Sequence, residues 1–392
     1  MTDDVIVVGL GGMGSAAAAH LSRRGRAVLG LEQFNPAHDR GSSHGDSRMI
    51  RQAYYEDPAY VPLLLRSYEL WNDLNHDRPG TITITGGLMI GAADAATVTG
   101  SLASARQWDL PHQVLDTPDI RRRFPSLNPP EGTVAVLEER AGYVLPEETV
   151  RTHLARAAGA GADLRFHERV TRWEATSDGV TVHTDHDDYQ ADQLVLTAGA
   201  WAPDVLHTPD VALHVERQLL YWFLPRDSVE RYRGSRHPVF IWDVGDGLQL
   251  YGFPALGSAE EGVKVAFYRG AGNPTHPDHL DRHIHDDEID LMRSHLAEHA
   301  PGLAGAFLRG VACMYTNTVD HHFIVSRHPQ HPQVTIAAGF SGHGFKFAPV
   351  IGEIIADLSI DGSTRHPITM FSPQRFTTST AAPLRQSPNG QG

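Results

Sequence analysis

The sequence predicts an α/β protein in which a mostly parallel, helix-flanked domain is interrupted by an antiparallel-sheet domain. Three observations predict this fold class. A buried strand, a glycine-rich turn, a helix and a second strand follow one another over Val5–Glu32. Apolar and polar residues alternate, with many aromatics, from Val211 to about Tyr268, as in antiparallel sheet. Segments that alternate between strand and helix follow this region as well as precede it, so we interpret the region as an insertion into the parallel, helix-flanked domain.

The glycine-rich turn predicts a dinucleotide site in a Rossmann-like domain. Gly9, Gly11 and Gly14 have the spacing G-x-G-x-x-G between the strand Val5–Val8 and the helix Ser15–Arg24. These glycines allow a tight turn, a close approach of the pyrophosphate and close helix–strand packing. The phosphates bind at the helix N-terminus. Glu32 ends the next strand, eighteen residues after Gly14, where an acid binds a ribose hydroxyl.

Composition narrows the class of protein further. The chain has 392 residues, of which 41% are hydrophobic and 20% charged, values typical of a globular protein with room for two domains. A net charge of −14 argues against nucleic acid or an acidic membrane as the main partner. One cysteine cannot form an internal disulfide, which indicates a reducing, cytoplasmic setting. We expect neither a signal peptide before the first strand nor a membrane span, since no run of eighteen apolar residues occurs.

The remaining elements follow in chain order. A long polar loop, Gln33–Ser47, is expected to be functional or mobile. We expect helices at Tyr60–Leu74, Glu147–Ala160, Asp287–His299 and Val350–Leu358, and strands within Thr81–Ile90 (broken at Gly86-Gly87), near Leu164–Trp173, at Gly179–Thr184, Gln193–Leu196 and Val334–Ala338.

These elements predict a discontinuous nucleotide-binding domain of residues 1–80, 145–210 and 320–376. Residues 81–144 and 211–319 would form the substrate domain, and 377–392 a disordered tail. The chain has a single dinucleotide fingerprint, whereas relay of hydride from NADPH to a flavin usually needs two. This favours a tightly held FAD that takes electrons from a substrate and passes them to a small acceptor.

Cys313 and the loop His44–Arg51 are candidates for chemistry, although each has a simpler interpretation. A lone free cysteine is usually a small buried hydrophobe, and the residues alone favour that interpretation of Cys313. The loop could be a solvated charge cluster. Arg48 and Arg51 are three residues apart, however, so in a turn or short helix both could face one pocket and bind a carboxylate.

Two lysines are further candidates. Lys346 lies between two phenylalanines just before a helix, where a surface lysine would expose aromatic rings with it. Lys264 lies between two valines in an alternating strand, so its side chain points to the face opposite theirs, toward solvent or into a cavity. The histidines His276, His279, His283, His285, His321 and His322 lack the spacing of a metal site, and we expect no metal.

Six motifs, taken together, resemble the monomeric sarcosine oxidase and N-methyltryptophan oxidase group of the D-amino-acid-oxidase-like flavoproteins. They appear in that family's order, and the resemblance runs from residue 4 to about 376. CMYT followed by SGHGFKF is the most specific part. The motifs are GLGGMG at Gly9–Gly14, GSSHGDSRMIR at Gly41–Arg51, TAGAW at Thr197–Trp201, YGFP at Tyr251–Pro254, CMYT at Cys313–Thr316 and AGFSGHGFKF at Ala338–Phe347.

The resemblance implies FAD attached by a thioether from the flavin 8-methyl carbon to Cys313. It places His44 and Arg48 beside the isoalloxazine ring and Glu32 on the adenosine ribose. Further cofactor contacts are expected at Gly9, Gly11, Gly12, Met13, Gly14, Ser43, Val170, Ala198, Gly199, Trp201, Gly342, Gly344 and Lys346.

The resemblance also implies the catalytic residues. Arg51 and Lys346 would bind the substrate carboxylate, and Lys264 would stand over the opposite flavin face and activate oxygen. Tyr251 and Tyr315 would line the substrate cavity. The sequence departs from the family at one position, because the histidine often found four residues after this lysine is Tyr268 here, followed by Arg269.

The expected activity is oxidation of a secondary amino acid, in the first place an N-methyl amino acid of the sarcosine or N-methyl-L-tryptophan type. Molecular oxygen would be the acceptor, and formaldehyde, the primary amino acid and H2O2 the products. A cyclic imino acid such as pipecolate or proline, or a glycated amino acid, is an alternative substrate. A dehydrogenase or tailoring enzyme with another acceptor, and a regulatory module without turnover, are the rival functions. We expect a cytoplasmic monomer.

Overall fold

The structure is a computed structural model, and it describes residues 3–208 and 211–376. The tail predicted at 377–392 lies outside the described residues. Within them, no helix is long and apolar enough to cross a membrane. The α-helices of the described part are α1 (Gly12–Arg23), α2 (Val61–Asp77), α3 (Ala96–Gln107), α4 (Thr117–Arg123), α5 (Pro146–Gly159), α6 (Ala202–Val205), α7 (Asp286–His299) and α8 (Ala348–Asp361).

The strands form three sheets. They are β1 (Asp3–Val8), β2 (Val28–Glu32), β3 (Arg48–Ile50), β4 (Ile82–Ile84), β5 (Gly87–Gly91), β6 (Gln113–Leu115), β7 (Val134–Glu138), β8 (Gly142–Val144), β9 (Asp163–Phe166), β10 (Val170–Thr176), β11 (Gly179–Thr184), β12 (Asp188–Leu196), β13 (Leu213–Phe223), β14 (Val239–Gly245), β15 (Leu248–Gly252), β16 (Val263–Arg269), β17 (Asn273–Pro274), β18 (Phe307–Thr318), β19 (Ile324–Arg327) and β20 (Val334–Ala338).

The first sheet carries the glycine-rich turn. Its order is β10-β11-β12-β1-β2-β9, with β20 parallel to the end of β12 and β19 outside β20. Strands β12, β1, β2 and β9 are parallel. Val5 and Val7 pack toward α1, α5 and α8, whereas Ile6 and Val8 pack toward β10 and β11, because side chains alternate along a strand. The turn therefore leaves the carboxyl end of a strand buried on both faces, which is where open α/β sheets bind ligands.

The second sheet is mostly antiparallel, and its order is β17-β13-β16-β15-β14-β5-β7-β6. Strand β18 pairs with β13 over its whole length, and this pairing sets Cys313 opposite Gln218. Strand β16, which carries Lys264, lies between β13 and β15. The third sheet has the order β3-β8-β4. In it, β3, which follows the polar loop and begins at Arg48, and β4 both pair with β8.

One predicted strand is wrong. The sequence predicts a single strand near Leu164–Trp173, but this segment contributes to β9 and β10, which lie at opposite edges of the first sheet. The chain turns between them at His167, whose φ of +60° is a left-handed conformation that interrupts a strand. The break falls on three consecutive polar residues, His167, Glu168 and Arg169, which separate the apolar residues of the two strands.

Candidate active site

A cavity of about 490 Å³ lies at the carboxyl end of β1. Gly9 has a φ of +84°, and a Cβ on Gly14 would lie 1.8 Å from the Gly9 carbonyl oxygen, so the turn requires both glycines. The cofactor residues predicted from the sequence that line this cavity are Gly9, Gly11, Gly12, Met13, Glu32, Ser43, Arg48, Val170, Ala198, Gly199, Trp201, Gly342 and Gly344. Gly14, His44, Cys313 and Lys346, also predicted, lie outside its lining.

Side chains hold the turn in place. The Glu32 carboxylate accepts hydrogen bonds from Leu10 N at 2.9 Å and Phe34 N at 3.1 Å, and it still faces the cavity, as the ribose interpretation requires. The Thr197 hydroxyl lies 2.9 Å from the Val8 oxygen and 2.8 Å from the Gly9 oxygen. Sequence reasoning missed this threonine as a support for the turn, although it opens the TAGAW motif.

Cys313 lies next to this cavity, on β18. Its thiol is buried and lies 3.6 Å from Arg48 Nη2, while Arg48 itself lines the cavity. Burial raises the pKa of the Cys313 thiol, but the neighbouring His44 and Arg48 outweigh burial and lower the pKa to about 6. A thiol with this pKa is largely the reactive thiolate at neutral pH.

The described residues fit FAD. The glycine turn and the N-terminus of α1 form a cradle for a pyrophosphate, and Glu32 faces the same cavity. At the Cys313 end, His44 Nε2 is buried and has no hydrogen-bond partner among the described residues. A buried polar atom without a partner is costly, and a flavin ring would supply the missing partner.

Lys264 is buried, with 2% of its surface exposed, so its side chain points inward rather than to solvent. Its ammonium donates hydrogen bonds to the Gly45 oxygen at 2.6 Å, the Ser47 oxygen at 2.8 Å and the Ser47 hydroxyl at 3.3 Å. The Phe253 ring centroid lies 4.7 Å from Nζ. Burial lowers the pKa of Lys264 well below its usual range, and Arg48 lowers it further.

Arg48 and Arg51 do not share one pocket through a turn or short helix, so that prediction is wrong. Arg48 begins the strand β3, and Arg51 follows its end; side chains three apart in extended chain point to opposite sides. Arg51 Nη2 lies 2.6 Å from both carboxylate oxygens of Glu56. Sequence reasoning missed Glu56, although it follows Arg51 by five residues. Arg51 Nε is buried and has no partner among the described residues.

Lys346 is also buried, with 6% of its surface exposed. Its ammonium has one hydrogen-bond acceptor among the described residues, the His343 oxygen at 2.7 Å, and it lies 5.2 Å from the Tyr54 ring centroid. Burial lowers the pKa of Lys346 to about 7, and Arg51 adds to the effect. Lys264 and Lys346 are the only two lysines in the 392-residue sequence, a signal that could have singled out both of them.

Aromatic rings connect the predicted substrate residues. The Tyr268 ring lies 6.4 Å from Tyr251 and 6.3 Å from Tyr315, and the Tyr251 ring lies 5.7 Å from Phe253. The Tyr268 hydroxyl donates to Glu56 at 3.1 Å, the carboxylate that holds Arg51. Tyr268 is therefore linked through Glu56 to Arg51, one of the two residues predicted to bind the substrate carboxylate.

The histidines considered for a metal have other contacts. His285 bonds Asp281 at 2.7 Å, His276 accepts from Asp278 N at 3.3 Å, and His321 lies 3.0 Å from Arg269 Nη1. In the part of the chain that the structure describes, no group of three histidine, cysteine or acidic residues could hold a metal ion.

Comparison with known proteins assigns the family. Residues 4–358 match the family model described as FAD dependent oxidoreductase. The chain belongs to this family. Monomeric sarcosine oxidase of Streptomyces avermitilis is 54% identical over 382 residues, which are 97% of this chain and 99% of that protein. N-methyl-L-tryptophan oxidase of Escherichia coli O157:H7 is 35% identical over 384 residues, which are 96% of this chain and 100% of that protein.

Solved structures agree on the fold. L-proline dehydrogenase from P. horikoshii has a TM-score of 0.83 at 24% identity, covering 96% of this chain and 98% of that chain. NikD, an unusual amino acid oxidase essential for nikkomycin biosynthesis, has a TM-score of 0.81 at 24% identity, covering 95% and 97%. The α/β fold class and the family resemblance predicted from the sequence are confirmed.

Proposed function

We propose that this protein is an FAD-dependent oxidase of N-methyl amino acids, of the sarcosine or N-methyl-L-tryptophan type, with molecular oxygen as acceptor. The observation that carries the proposal is a set of three buried basic side chains, Arg51, Lys264 and Lys346, in a protein whose glycine-rich turn and Glu32 line one cavity. Burying a cation is costly unless it is paired and hydrogen-bonded, and buried ionisable groups with shifted pKa values cluster at functional sites. The near-full-length similarity to monomeric sarcosine oxidase and N-methyl-L-tryptophan oxidase supports the same chemistry.

Arg51 and Lys346 bind the substrate carboxylate in this proposal. The Lys346 ammonium uses one of its three N–H groups on His343, and Arg51 Nε has no partner among the described residues, so donors remain for an incoming anion. Each charge-assisted hydrogen bond is worth about 1.5–3 kcal/mol. Fixing the carboxylate at one end orients the N-methyl group at the other, and such orientation lowers the barrier by several kcal/mol.

In this proposal, the aromatic wall determines whether the substrate amine is charged. Tyr251 and Tyr315, whose rings lie 6.4 and 6.3 Å from that of Tyr268, are proposed to form with it a wall that excludes water from the substrate site, and a poorly solvated site favours the uncharged amine. The uncharged form is required because its lone pair assists departure of hydride from the neighbouring carbon. The imine that results hydrolyses in water, releasing formaldehyde when the lost group is N-methyl.

FAD, when bound, would supply the two-electron redox chemistry between the substrate and oxygen. Cys313 is proposed as the covalent tether through a thioether, supported by its lowered pKa and its place beside the cavity. His44 and Arg48 lie beside Cys313 and would favour negative charge on a flavin ring bound there. Lys264 is proposed to stabilise the anion formed when oxygen accepts the first electron, because a fixed charge acts strongly in a dry site.

Two further expectations are part of the proposal. All strands of the first sheet come from residues 1–80, 145–210 and 320–376, and all those of the second from 81–144 and 211–319, which supports this division into an FAD-binding and a substrate domain. We also propose a cytoplasmic, monomeric enzyme, supported by the single cysteine and by the name of the relative from Streptomyces avermitilis.

A substrate panel read by peroxide release tests this function. The panel contains sarcosine, N-methyl-L-tryptophan, pipecolate, proline and a glycated amino acid. We expect peroxide and formaldehyde in equal amounts with an N-methyl amino acid. Turnover that consumes substrate with an artificial acceptor but yields no peroxide would identify a dehydrogenase instead. Peroxide without formaldehyde, from a cyclic substrate alone, would replace the N-methyl assignment.

A further inference from the structure

The loop Gly45–Ser47 holds the Lys264 ammonium. Three acceptors of this loop, two backbone carbonyls and one hydroxyl, match the three N–H groups of the ammonium. The loop adopts an uncommon backbone conformation, since Gly45 has a φ of +95° and Asp46, although it has a side chain, a φ of +66°. Such a conformation persists only when surrounding contacts impose it. The position of Lys264 therefore depends on what fixes this loop.

Glu147 provides that contact. Its Oε1 accepts hydrogen bonds from Gly45 N at 2.6 Å and from Asp46 N at 3.3 Å, across a sequence separation of about a hundred residues. Glu147 lies in the first turn of α5 and is half-buried. Among the described residues it forms no ion pair, whereas the adjacent Glu148 pairs with Arg78 at 3.1 Å and Arg151 at 2.9 Å. The Glu147 carboxylate is therefore hydrogen-bonded to the loop, and its charge also acts on the nearby Arg48.

We propose that Glu147 is a positioning residue for oxygen activation, which aligns the loop carbonyls toward Lys264 and supplies the negative charge that keeps this lysine an ammonium. The inference rests on the proposed role of Lys264. Glu147 acts through the loop rather than by a hydrogen bond to the lysine itself. The position and charge of Lys264 then depend on a carboxylate of α5, in the predicted nucleotide-binding domain.

The other charges near Lys264 do not replace this contribution. Arg48 opposes the ammonium, while Asp46, Cys313 and Glu147 favour it. The carboxylate of Asp46 is bound by Arg309, whose guanidinium lies 3.6 Å from the Trp222 ring centroid, so its charge is compensated. Cys313 loses its charge if the proposed thioether forms. Glu147 remains as the acidic group of this set that has neither an ion pair among the described residues nor a covalent bond.

Three variants of the holoenzyme separate charge from packing. Glu147→Gln keeps the shape and an acceptor oxygen but removes the charge, and Glu147→Ala removes both. Glu148→Gln is the matched control, because it removes the same charge one residue away from an exposed pair of salt bridges. Stopped-flow absorbance follows flavin reduction by substrate without oxygen and reoxidation by oxygen separately.

We expect reoxidation to slow by about tenfold in Glu147→Gln. At a pH above the pKa of Lys264, lowering that pKa by about one unit reduces the charged fraction of the lysine by about tenfold. Reoxidation should slow further in Glu147→Ala. Reduction by substrate should change less than about twofold in both variants, a difference within the scatter of surface substitutions. Glu148→Gln should match wild type in both half-reactions. Equal slowing of both half-reactions in Glu147→Gln would overturn the proposal in favour of a general structural role.

A second readout needs no turnover. Since the chain has two lysines, protein labelled with [ε-13C]lysine gives two side-chain signals, which Lys346→Arg assigns. We expect the pH midpoint of the Lys264 signal to fall by about one unit in Glu147→Gln, with that of Lys346 unchanged. An unchanged Lys264 midpoint overturns the proposal even if reoxidation slows. In Lys264→Met, adding Glu147→Gln should have no further effect on reoxidation.

The same data distinguish the two proposals. If Lys264→Met reoxidises like wild type, the oxygen role of Lys264 is wrong and this inference falls with it. If Lys264→Met is slow while Glu147→Gln reoxidises normally, the role of Lys264 stands and the role of Glu147 is wrong.

Discussion

The two buried lysines differ in the number of hydrogen-bond acceptors that surround their ammonium groups. The Lys264 ammonium has three acceptors from Gly45 and Ser47, so its hydrogen-bonding capacity is filled by the protein. The Lys346 ammonium has one among the described residues, the His343 oxygen. A saturated cation can act on a neighbouring anion only through its field, whereas an unsaturated one can bind a ligand directly. Hydrogen-bond saturation, more than burial, therefore distinguishes the two proposed roles.

The largest expected effect concerns the tether on the Lys264 side, where Cys313 packs with Trp222. Acid denaturation of wild type should leave fluorescent flavin on the polypeptide, and Cys313→Ala should release all of it, because no other thiol exists. Gel fluorescence and intact mass measure the difference. Complete release from wild type would show that the thioether is absent, and would leave Cys313 as a buried hydrophobe.

Removing the saturated cation should affect oxygen alone. Lys264→Met keeps the length of the side chain and removes its charge. We expect reoxidation to slow by about a hundredfold, which corresponds to about 3 kcal/mol of lost stabilisation, while anaerobic reduction is nearly unchanged. Stopped-flow absorbance measures both steps. Unchanged reoxidation would move the search for the oxygen-reactive cation to Arg48 or Arg269.

Removing the unsaturated cation should affect the carboxylate. Lys346→Met deletes a charge-assisted donor worth about 1.5–3 kcal/mol, so the dissociation constant of a small carboxylate such as acetate should rise by about ten- to a hundredfold. Titration of the flavin absorbance gives the constant without turnover. Arg51→Ala should act in the same direction, and Lys264→Met is the matched control with unchanged affinity. Normal affinity in both Lys346→Met and Arg51→Ala would exclude this carboxylate site.

The pH dependence of acetate binding provides a second test of the role proposed for Lys346. Burial lowers the pKa of Lys346 to about 7, and the nearby Arg51 and Glu56 stay charged because the Glu56 pKa is lowered to about 2 despite its burial. Raising the pH through 7 therefore removes the Lys346 charge, and binding should weaken by up to about tenfold per pH unit above that midpoint. Lys346→Arg stays charged and should abolish this slope. A slope retained in Lys346→Arg would assign it to another group.

The nucleotide region is predictable because its information is local. The turn Gly9–Gly14, the helix that follows and Glu32 are fixed by spacings within one strand–helix–strand unit, and the structure has all of them. The lysine regions depend on contacts between distant segments. Lys264 meets Gly45 across 219 residues, and Gly45 meets Glu147 across 102. Such a contact leaves no periodic pattern in the sequence, so the role proposed for Glu147 could not be predicted from the sequence.

Two shortcomings of the sequence-based predictions have the same physical origin. Three-residue spacing brings the side chains of Arg48 and Arg51 together in a helix, but pairing with β8 makes the segment extended. The direction of Lys264 stays open in the sequence because alternation shows that neighbours face opposite sides, without showing what covers each side. The loop Gly45–Ser47 covers the side of Lys264, so both faces of β16 are buried.

The two [ε-13C]lysine signals of the holoenzyme, followed with and without acetate, test the division of roles between the lysines most directly. We expect saturating acetate to raise the pH midpoint of the Lys346 signal by about one unit or more, because a bound anion favours the ammonium, and to leave the Lys264 midpoint in place. A shift confined to Lys264, or equal shifts of both signals, would contradict the assignment of carboxylate binding to the unsaturated lysine and oxygen activation to the saturated one.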